Sequence, residues 1–257
     1  ISKESSLENS SKIEFNNVSF KYKNSNENSL SNLNVSINAG ETVGIIGGTG
    51  SGKSSFINLI PRFYDASTGS VLIDGLDVKN YSLKNLRKKI GVVPQKAVLF
   101  SGTLKANLLL GNENATDDDI KAALDLAQAF EFVNKLPEKY DTILSEGGKN
   151  LSGGQKQRLT IARALICKPE ILILDDSSSA LDFATDAALR RSLKEKTKDM
   201  TVLMVSQRAS TVKDADKIIV FDNGEIKGMG THDYLMNNCD VYKEIFLSQL
   251  SQKEAAI

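Results

Sequence analysis

Cysteine, histidine and proline are scarce in this chain, and tryptophan is absent. Its 257 residues include two cysteines, one histidine and four prolines. The cysteines, Cys167 and Cys239, lack the spacing of a metal-binding cluster. Disulfides belong mainly to oxidising compartments, and we interpret both residues as reduced, structural thiols of a cytosolic protein.

An excess of charge and long apolar runs are also missing. Lysine plus arginine and aspartate plus glutamate both number 32, so the formal net charge is zero. The chain therefore lacks a general basic footprint for nucleic acid or an anionic membrane surface. No apolar run approaches the roughly 18 residues that span a bilayer, and we expect no signal peptide before the fold. The composition is typical of a soluble globular protein, long enough for one large α/β domain or two small lobes around a shared core.

What the chain does contain is an alternation of strand-like and helical segments. Residues 1–11 are polar and aperiodic, which predicts a linker or tail. Apolar, β-rich patterns predict strands at 13–20, 35–37, 42–46, 71–73, 90–93, 171–174, 202–205 and 218–221. Helices are predicted at 54–59, 104–110, 117–130 and 184–196, with a long one after residue 154. This alternation favours a mainly parallel sheet, interrupted by a helical insertion over 103–165.

A glycine-rich segment follows one predicted strand and runs into a helix. It fits the phosphate-binding pattern G-x-x-x-x-G-K-[ST] at each fixed position through Gly47, Gly48, Thr49, Gly50, Ser51, Gly52, Lys53 and Ser54. Glycines let the backbone turn its N–H groups toward an anion at little steric cost. Lys53 is expected to reach the β- and γ-phosphates of a nucleotide, and the Ser54 hydroxyl to bind Mg²⁺. A chance match is disfavoured by the flanking strand and helix.

Two acids, Asp175 and Asp176, end the apolar run at 171–174. Buried parallel strands have this composition, and ligands bind at their carboxyl ends. Asp175 is the predicted ligand of Mg²⁺ or of its bound water. The alternative is that Asp175 only caps the helix that follows.

A second glycine-rich loop lies much later in the chain. Its sequence is Leu151-Ser152-Gly153-Gly154-Gln155-Lys156-Gln157-Arg158, and it runs into an apolar helix. The free N–H groups of such a helix N-terminus make it a second candidate anion site.

The two loops together resemble those of the ATP-binding cassette (ABC) ATPases. Leu151 to Gln155 is similar to the ABC signature letter for letter, and the likeness runs from about residue 12 to 249. It implies a phosphate-loop NTPase core with a parallel sheet, an N-terminal antiparallel β subdomain and a helical subdomain at about 101–165. The domain would span 12–249, followed by a C-terminal tail at 250–257.

The resemblance also implies that each ATP lies between two subunits. Ser152, Gly153, Gly154 and Gln155 would close over ATP held by a partner's phosphate loop. Three further likenesses concern single positions. Tyr22 resembles the aromatic that stacks on adenine, although it could also be a sheet-packing tyrosine. Gln95 resembles a glutamine that contacts Mg²⁺ and hinges toward the membrane domain, and Asp182 ends a segment, Ser179 to Asp182, that resembles the loop through which the two sites communicate.

Other segments resemble exporter-type cassettes, which are fused to a membrane domain. They are Asp74-Gly75, Leu99 to Thr103 and Glu146-Gly147, whereas Ser145 departs from the glycine common before that glutamate. The resemblance implies a location at the cytoplasmic face of the cell membrane and a transmembrane domain on the same polypeptide. Specificity would lie in that domain, so the sequence leaves the transported compound open.

Two residues depart from the family pattern at the positions that act on the attacking water. Asp176 stands where hydrolysing members usually have glutamate, and Gln207 stands where they usually have histidine. The single histidine, His232, lies elsewhere and is interpreted as a turn or helix-start residue. Aspartate is one methylene shorter than glutamate, and glutamine cannot relay a proton. Either change alone could be tolerated, but together they indicate a weakened site.

This pattern resembles the degenerate half of a heterodimeric ABC exporter. The expected partner is a second half-transporter with normal catalytic glutamate and histidine and an altered signature. A fully active homodimeric exporter is the alternative. A non-transport ABC protein acting on DNA or the ribosome is disfavoured by the short spacing between the loops, the single cassette and the zero net charge.

Overall fold

Strands and helices alternate along the chain in a computed structural model that describes residues 11–23 and 25–254. The strands are β1 Ser11–Phe20, β2 Leu30–Asn38, β3 Thr42–Gly47, β4 Thr68–Ile73, β5 Leu76–Asp77, β6 Ile90–Val93, β7 Gly102–Thr103, β8 Ile143–Leu144, β9 Ile171–Asp175, β10 Thr201–Val205, β11 Lys217–Asp222 and β12 Glu225–Gly230. The helices are α1 Lys53–Leu59, α2 Leu83–Lys88, α3 Leu104–Leu109, α4 Asp117–Leu126, α5 Phe130–Asn134, α6 Gly153–Leu165, α7 Phe183–Lys196, α8 Ala209–Val212, α9 His232–Asn238 and α10 Asp240–Glu254.

The central sheet of the described chain has six strands in the order β12-β11-β3-β10-β9-β6. Neighbours from β11 to β6 pair in parallel, and β12 is antiparallel to β11. The predicted, mainly parallel sheet is therefore confirmed. Strand β12 was not predicted, because its alternating exposed and half-buried residues include two glycines and carry little apolar signal.

An antiparallel sheet forms the N-terminal β subdomain, in the order β2-β1-β4-β5 within the described residues. Apolar side chains on alternate positions of β1 and β2 point to one face, as the period of two requires. Ile13, Phe15, Val35 and Ile37 are all at most 5% exposed. The predicted antiparallel subdomain is confirmed.

Strand β9 contributes to two hydrophobic cores because its side chains alternate between the faces of the central sheet. Ile171 and Ile173 pack with the β subdomain and α1, whereas Leu172 and Leu174 pack with the helical part of the chain. All four side chains are at most 4% exposed. Burying each of them contributes about 1.5–3 kcal/mol, so the strand that ends in the two acids is firmly fixed.

Helices dominate residues 104–165, as the sequence predicts, and α4 and α3 both pack on α6. The single helix predicted over 117–130 is wrong in one respect. Gln128 adopts a left-handed conformation with φ 57°, and the chain there leaves α4 before α5 begins at Phe130. A two-stranded pairing of β7 with β8 also lies in this region.

Within the described residues, regular secondary structure extends beyond both predicted bounds of the domain, 12 and 249. Ser11 already begins β1, and α10 continues to Glu254, so residues 250–254 prolong a helix where a tail was predicted. The rest of the predicted linker and tail, 1–10 and 255–257, lies outside the described residues. In the part of the chain that is described, no helix has the length and apolar character needed to cross a membrane.

A cluster of four charged side chains ties the β subdomain to the central sheet. Lys12 of β1 pairs with Asp74 at 2.7 Å and also with Glu170, which directly precedes β9. Lys89 bridges the same two acids, at 3.0 Å from Asp74 and 2.8 Å from Glu170. Hydrogen bonds from the two lysines hold the pKa of both carboxyl groups below their ordinary values, against the opposing effect of burial.

We expect this cluster to make folding stability depend on pH. Carboxyl groups with lowered pKa values stabilise the fold above their unfolded pKa of about 4, and that contribution is lost as the pH falls through the folded value. Lys89→Gln should lower the free energy of unfolding at pH 7 by less than about 1 kcal/mol, because the acids are partly exposed. The difference from wild type should shrink toward pH 3.

Urea unfolding of both proteins at several pH values measures this difference. The adjacent, exposed Lys88 provides a matched control, and Lys88→Gln should leave the pH profile unchanged. A Lys89→Gln deficit of the same size at pH 3 and pH 7 would contradict the expectation.

Candidate functional site

The predicted phosphate-loop, metal and catalytic residues meet at the carboxyl edge of the central sheet. Four neighbouring parallel strands, β3, β10, β9 and β6, end there, and each is followed by a segment that carries candidate residues. The phosphate loop, Gln207, Asp175 with Asp176, and Gln95 lie at or just beyond these strand ends, respectively. Parallel strands place their carboxyl ends at one edge, so this convergence follows directly from topology.

The phosphate loop is organised around the buried amino group of Lys53. Its Nζ donates hydrogen bonds to the carbonyl oxygens of Gly47 at 2.8 Å and Gly48 at 2.7 Å, and to Ser51 Oγ at 3.3 Å. Burial lowers the pKa of Lys53, and the charges of Asp176 and Asp175 act in the opposite direction. The ammonium is thus held by carbonyl oxygens of its own loop, within the segment whose backbone N–H groups would meet an anion.

Two glycines of the loop are required by geometry. A Cβ at Gly47 would lie 2.2 Å from the carbonyl oxygen of Phe221, the residue paired with it on β11. Gly52, which precedes α1, has φ 105°, and a Cβ there would lie 2.8 Å from Leu30 Cδ2. At Gly48 and Gly50 an added Cβ would meet nothing within 4 Å, so the middle of the loop is open to a ligand.

Asp175, the last residue of β9, faces the start of α1. It accepts a hydrogen bond from Ser54, and its pKa is raised by burial and by the neighbouring charge of Asp176, against the effects of Lys53 and Ser54. The alternative role of Asp175, as the cap of a following helix, does not match its position. The residue before the turn Ser177–Ala180 is Asp176, and no cap hydrogen bond from its side chain is formed there.

Asp176 lies one residue further on, in a left-handed conformation with φ 46°. Its Oδ2 accepts a hydrogen bond from Gln95 Nε2 at 3.1 Å. The backbone N–H of Asp176 donates to the carbonyl of Val205 at 3.0 Å, which joins this turn to the end of β10. The structure therefore brings Gln95, Asp175 and Asp176 together beside the phosphate loop.

Gln207 lies two residues beyond the end of β10, in the turn before α8, and its side chain is exposed. Val205 pairs with Asp175 on one side and with Ile45 on the other. The turn that carries Gln207 consequently emerges between the acids and the phosphate loop. Sequence reasoning missed one contact of this turn. Gln249 Nε2 donates a hydrogen bond to the Gln207 carbonyl at 2.7 Å.

A cavity of about 510 Å³ adjoins the phosphate loop. Gly50 to Ser55 form one wall and Tyr22 another, with the Tyr22 hydroxyl 3.0 Å from Ser55 Oγ. The Tyr22 ring is 36% exposed and packs edge-on against Phe20 and Tyr64. It therefore both packs on the sheet and presents aromatic surface to the cavity.

The remaining wall of this cavity contains residues that were not predicted. They are Ser25, Glu27, Asn28, Ser29, Asn223 and Gly224. Asn223-Gly224 is a hairpin signal between β11 and β12, so the turn itself was readable. The position of this turn beside the phosphate loop could not be predicted from the sequence. It depends on a hydrogen bond from Gly224 N–H to the Ser51 carbonyl at 3.1 Å, which joins residues far apart in sequence.

The signature segment forms the N-terminus of α6, away from the cavity of its own chain. Ser152 Oγ accepts from the N–H of Gln155, and Gln155 Oε1 accepts from the N–H of Ser152, which makes a capping box. Ser152 and Gly153 are exposed, whereas a Cβ at Gly154 would lie 3.2 Å from the Ala180 carbonyl. The loop is thus ordered, faces outward, and borders the turn that follows Asp176.

Two further predicted residues have clear structural roles. Asp182 caps α7, accepting from the N–H of Thr185 at 2.9 Å and from its hydroxyl at 2.8 Å, and these bonds lower its pKa. His232 is the first residue of α9, and its Nδ1 lies 2.8 Å from the Tyr242 hydroxyl. His232 is therefore a helix-start residue that packs on α10.

The fold and the loop around Lys53 define a phosphate-loop nucleotide-binding protein. Comparison with known families makes the assignment narrower, since the sequence profile of the ABC transporter family matches residues 30–179. The chain belongs to the ABC transporter family and has the fold of its ATP-binding domain. The family resemblance drawn from the two glycine-rich loops is confirmed.

Relatives from bacteria match nearly the whole chain. YgaD of Bacillus subtilis, named for multidrug export as an ATP-binding/permease protein, is 44% identical over 92% of this chain. YfiB of the same organism, named an uncharacterised ABC transporter ATP-binding protein, is 46% identical over 95%. The structure of a bacterial Atm1-family ABC exporter with ATP bound superposes with a TM-score of 0.89 at 37% identity, covering 92% of this chain. The chain spans 41% of YgaD, 42% of YfiB and 42% of that exporter chain.

ATP and Mg²⁺ are the ligands of ABC ATP-binding domains, and the residues present fit both. The open loop at Gly48 and Gly50, together with the Lys53 ammonium, suits a polyphosphate. Among the described residues, no group of three or more His, Cys, Asp or Glu side chains could hold a metal ion. Mg²⁺ needs only one or two carboxylates when phosphate oxygens and water complete its coordination, and Asp175 is such a carboxylate beside the Ser54 hydroxyl.

We expect the close contacts at Gly52 to make this position less tolerant of an added side chain than Gly50. Gly52→Ala and Gly50→Ala both place a side chain on a left-handed residue, which costs about 1–2 kcal/mol. Only at Gly52 does the new Cβ also meet Leu30 Cδ2 and the Ser29 carbonyl. Gly52→Ala should therefore lose at least about 1 kcal/mol more unfolding free energy than Gly50→Ala in urea titrations. Equal losses would contradict this packing.

Proposed function

We propose that this chain is the ATP-binding domain of one subunit of a heterodimeric ABC exporter. Its own site would bind ATP and hydrolyse it slowly, while its intact signature completes the active site of the partner subunit. One observation carries the proposal: Asp176 and Gln207 both lie at the carboxyl edge beside the phosphate loop, in a chain whose signature loop is ordered and exposed.

Asp176 supports a slow site through its length and its contact. The family's glutamate would extend one methylene further, whereas the Asp176 carboxylate is already engaged by the Gln95 amide at 3.1 Å. Positioning of a general base contributes roughly 10²–10⁴ in rate, or about 3–5.5 kcal/mol of barrier. A side chain that is shorter and already hydrogen-bonded to Gln95 would lose some of this rate contribution without weakening nucleotide binding.

Gln207 removes the second part of the catalytic apparatus. Its side-chain amide can donate a hydrogen bond but cannot take up or transfer a proton. Neither residue belongs to the loop 47–54 that would hold the phosphates. Binding and turnover are thereby separated in this site.

The remaining roles follow the arrangement of the loops. Lys53 and the backbone N–H groups of residues 47–54 would hold the phosphates, and Ser54, Asp175 and Gln95 would hold Mg²⁺. Tyr22 would stack on adenine with the ring surface that it presents to the cavity. Ser152, Gly153, Gly154 and Gln155 would face the nucleotide of the partner, and Asp182 would belong to the loop between the two sites.

The relatives suggest where this domain works. YgaD is named an ATP-binding/permease protein, and this chain matches 41% of its length. We infer a transmembrane domain on the same polypeptide and a location at the cytoplasmic face of the cell membrane. ATP-driven closure of two cassettes would power substrate export. Zero net charge gives no support for a nucleic-acid partner.

The first test compares ATPase activity of the wild-type chain with Asp176→Glu plus Gln207→His. Two copies of the double variant can supply intact signatures to each other, so each restored site can be completed. We expect wild type to bind ATP and hydrolyse it slowly, and the double variant to turn over at least about tenfold faster. Steady-state phosphate release, with ATP affinity measured by calorimetry, decides this.

Lys53→Ala in both backgrounds is the control for contaminating ATPases. If wild type already turns over as fast as the double variant, the degenerate site is refuted. The fully active homodimeric exporter, which the intact signature also permits, then takes its place.

The second test asks whether the signature acts on another chain. A variant with Asp176→Glu, Gln207→His and Ser152→Arg imitates the expected partner, because its own site is restored but its signature is blocked. Alone it should be inactive. Mixed with wild type, it should hydrolyse ATP at least about tenfold faster than either protein alone, because the wild-type signature completes its site.

The matched control mixes the same triple variant with Ser152→Arg on an otherwise wild-type background. No signature is then intact, and no recovery is expected. Recovery in this control, or none in the mixture with wild type, would argue against sites shared between chains.

A further inference from the structure

We propose that Gln249, on the C-terminal helix α10, is a positioning residue that fixes the turn carrying Gln207. Its side-chain amide makes two hydrogen bonds to that turn. Nε2 donates to the carbonyl of Gln207 at 2.7 Å, and Oε1 accepts from the N–H of Ala209 at 2.8 Å. The amide thus pairs with the backbone on both sides of Arg208, as a neighbouring strand would.

Other contacts in the described part of the chain also hold the turn, at Ser206 and at Arg208. Ser206 N–H donates to the Ile45 carbonyl at 3.0 Å, and Arg208 N–H donates to Ser206 Oγ at 3.0 Å. The Arg208 guanidinium lies 5.6 Å from the centre of the Phe183 ring. The Gln207 carbonyl is held by α10, an element that does not belong to the central sheet.

Helix α10 can act as a support because its other end is fixed. Tyr242 is fully buried, its hydroxyl lies 2.8 Å from His232 Nδ1, and Phe246 packs against the His232 ring at 4.8 Å. Positions 242, 246 and 249 follow at intervals of four and three residues, and therefore share one face of the helix. A helix seated in the core at Tyr242 accordingly presents Gln249 to the turn.

The consequence concerns the side chain that the turn carries. A peptide plane held at its carbonyl oxygen limits rotation about ψ of Gln207, and thereby the direction of its side chain. Releasing that contact should change how residue 207 meets the nucleotide without changing the phosphate loop. This inference rests on the proposed function in one respect, namely that residue 207 faces the reacting phosphate.

The test uses two variants of Gln249 in the full chain. Gln249→Ala removes both hydrogen bonds, whereas Gln249→Glu keeps an acceptor for Ala209 N–H and loses the donor to the Gln207 carbonyl. Glu244→Ala, an exposed change on the same helix, is the matched control. Each is made in wild type and in Asp176→Glu plus Gln207→His, and the faster background is used for kinetics.

We expect kcat to fall about fivefold in both Gln249 variants, the scale of one neutral hydrogen bond, with KM for ATP unchanged. The Ala209 amide should exchange its hydrogen faster in Gln249→Ala but not in Gln249→Glu. The control should match its parent in all three measurements.

Three results would overturn the inference. They are equal Ala209 exchange in wild type and Gln249→Ala, full kcat in Gln249→Glu, or a rise in KM that accounts for the loss. Each comparison is made within one background. A failure of the degenerate-site proposal appears instead as a wild type as fast as its double variant, so the two failures are distinguishable.

Discussion

The parallel register of four strands is the constraint on which the site depends. Hydrogen bonds align Val205 of β10 with Asp175 of β9 and with Ile45 of β3, and Val93 of β6 with Leu174. Loops that are remote in sequence therefore leave the sheet side by side. A slip of one residue in β9 would exchange its two faces, moving Leu172 and Leu174 out of one core and Ile171 and Ile173 out of the other. The cores on both sides thus hold the acids in place.

Charge at this edge is balanced around one buried ammonium. Lys53 is stabilised by the acids and by carbonyl oxygens of its own loop, and Asp175 is stabilised by Lys53 and Ser54. Burial opposes the charged form of both groups, which lowers the pKa of the lysine and raises that of the aspartate. Such a site favours an arriving polyphosphate with its cation, because each charge of the ligand meets an opposite charge already positioned by the fold.

Much of this arrangement could be predicted from the sequence, since local signals place it. The apolar run before Asp175 and the glycines before Lys53 identify two strand ends, and alternation of elements predicts that these ends meet. The break at Gln128 could not be read, because left-handed residues other than glycine leave no local pattern. Gln249 and Asn223 were missed for a different reason. Their contacts to the site join distant segments, and a single polar side chain on a helix or in a turn carries no periodicity.

The closeness of Gly154 to the Ala180 carbonyl has a consequence for genetics. In the proposed pairing, residues 177–181 adjoin the acids of one nucleotide site and back the signature that covers the other. A substitution in that turn would affect two ATP sites whose phosphate loops belong to different chains. Suppressors of such a substitution are accordingly to be sought in the partner gene as well as in this one.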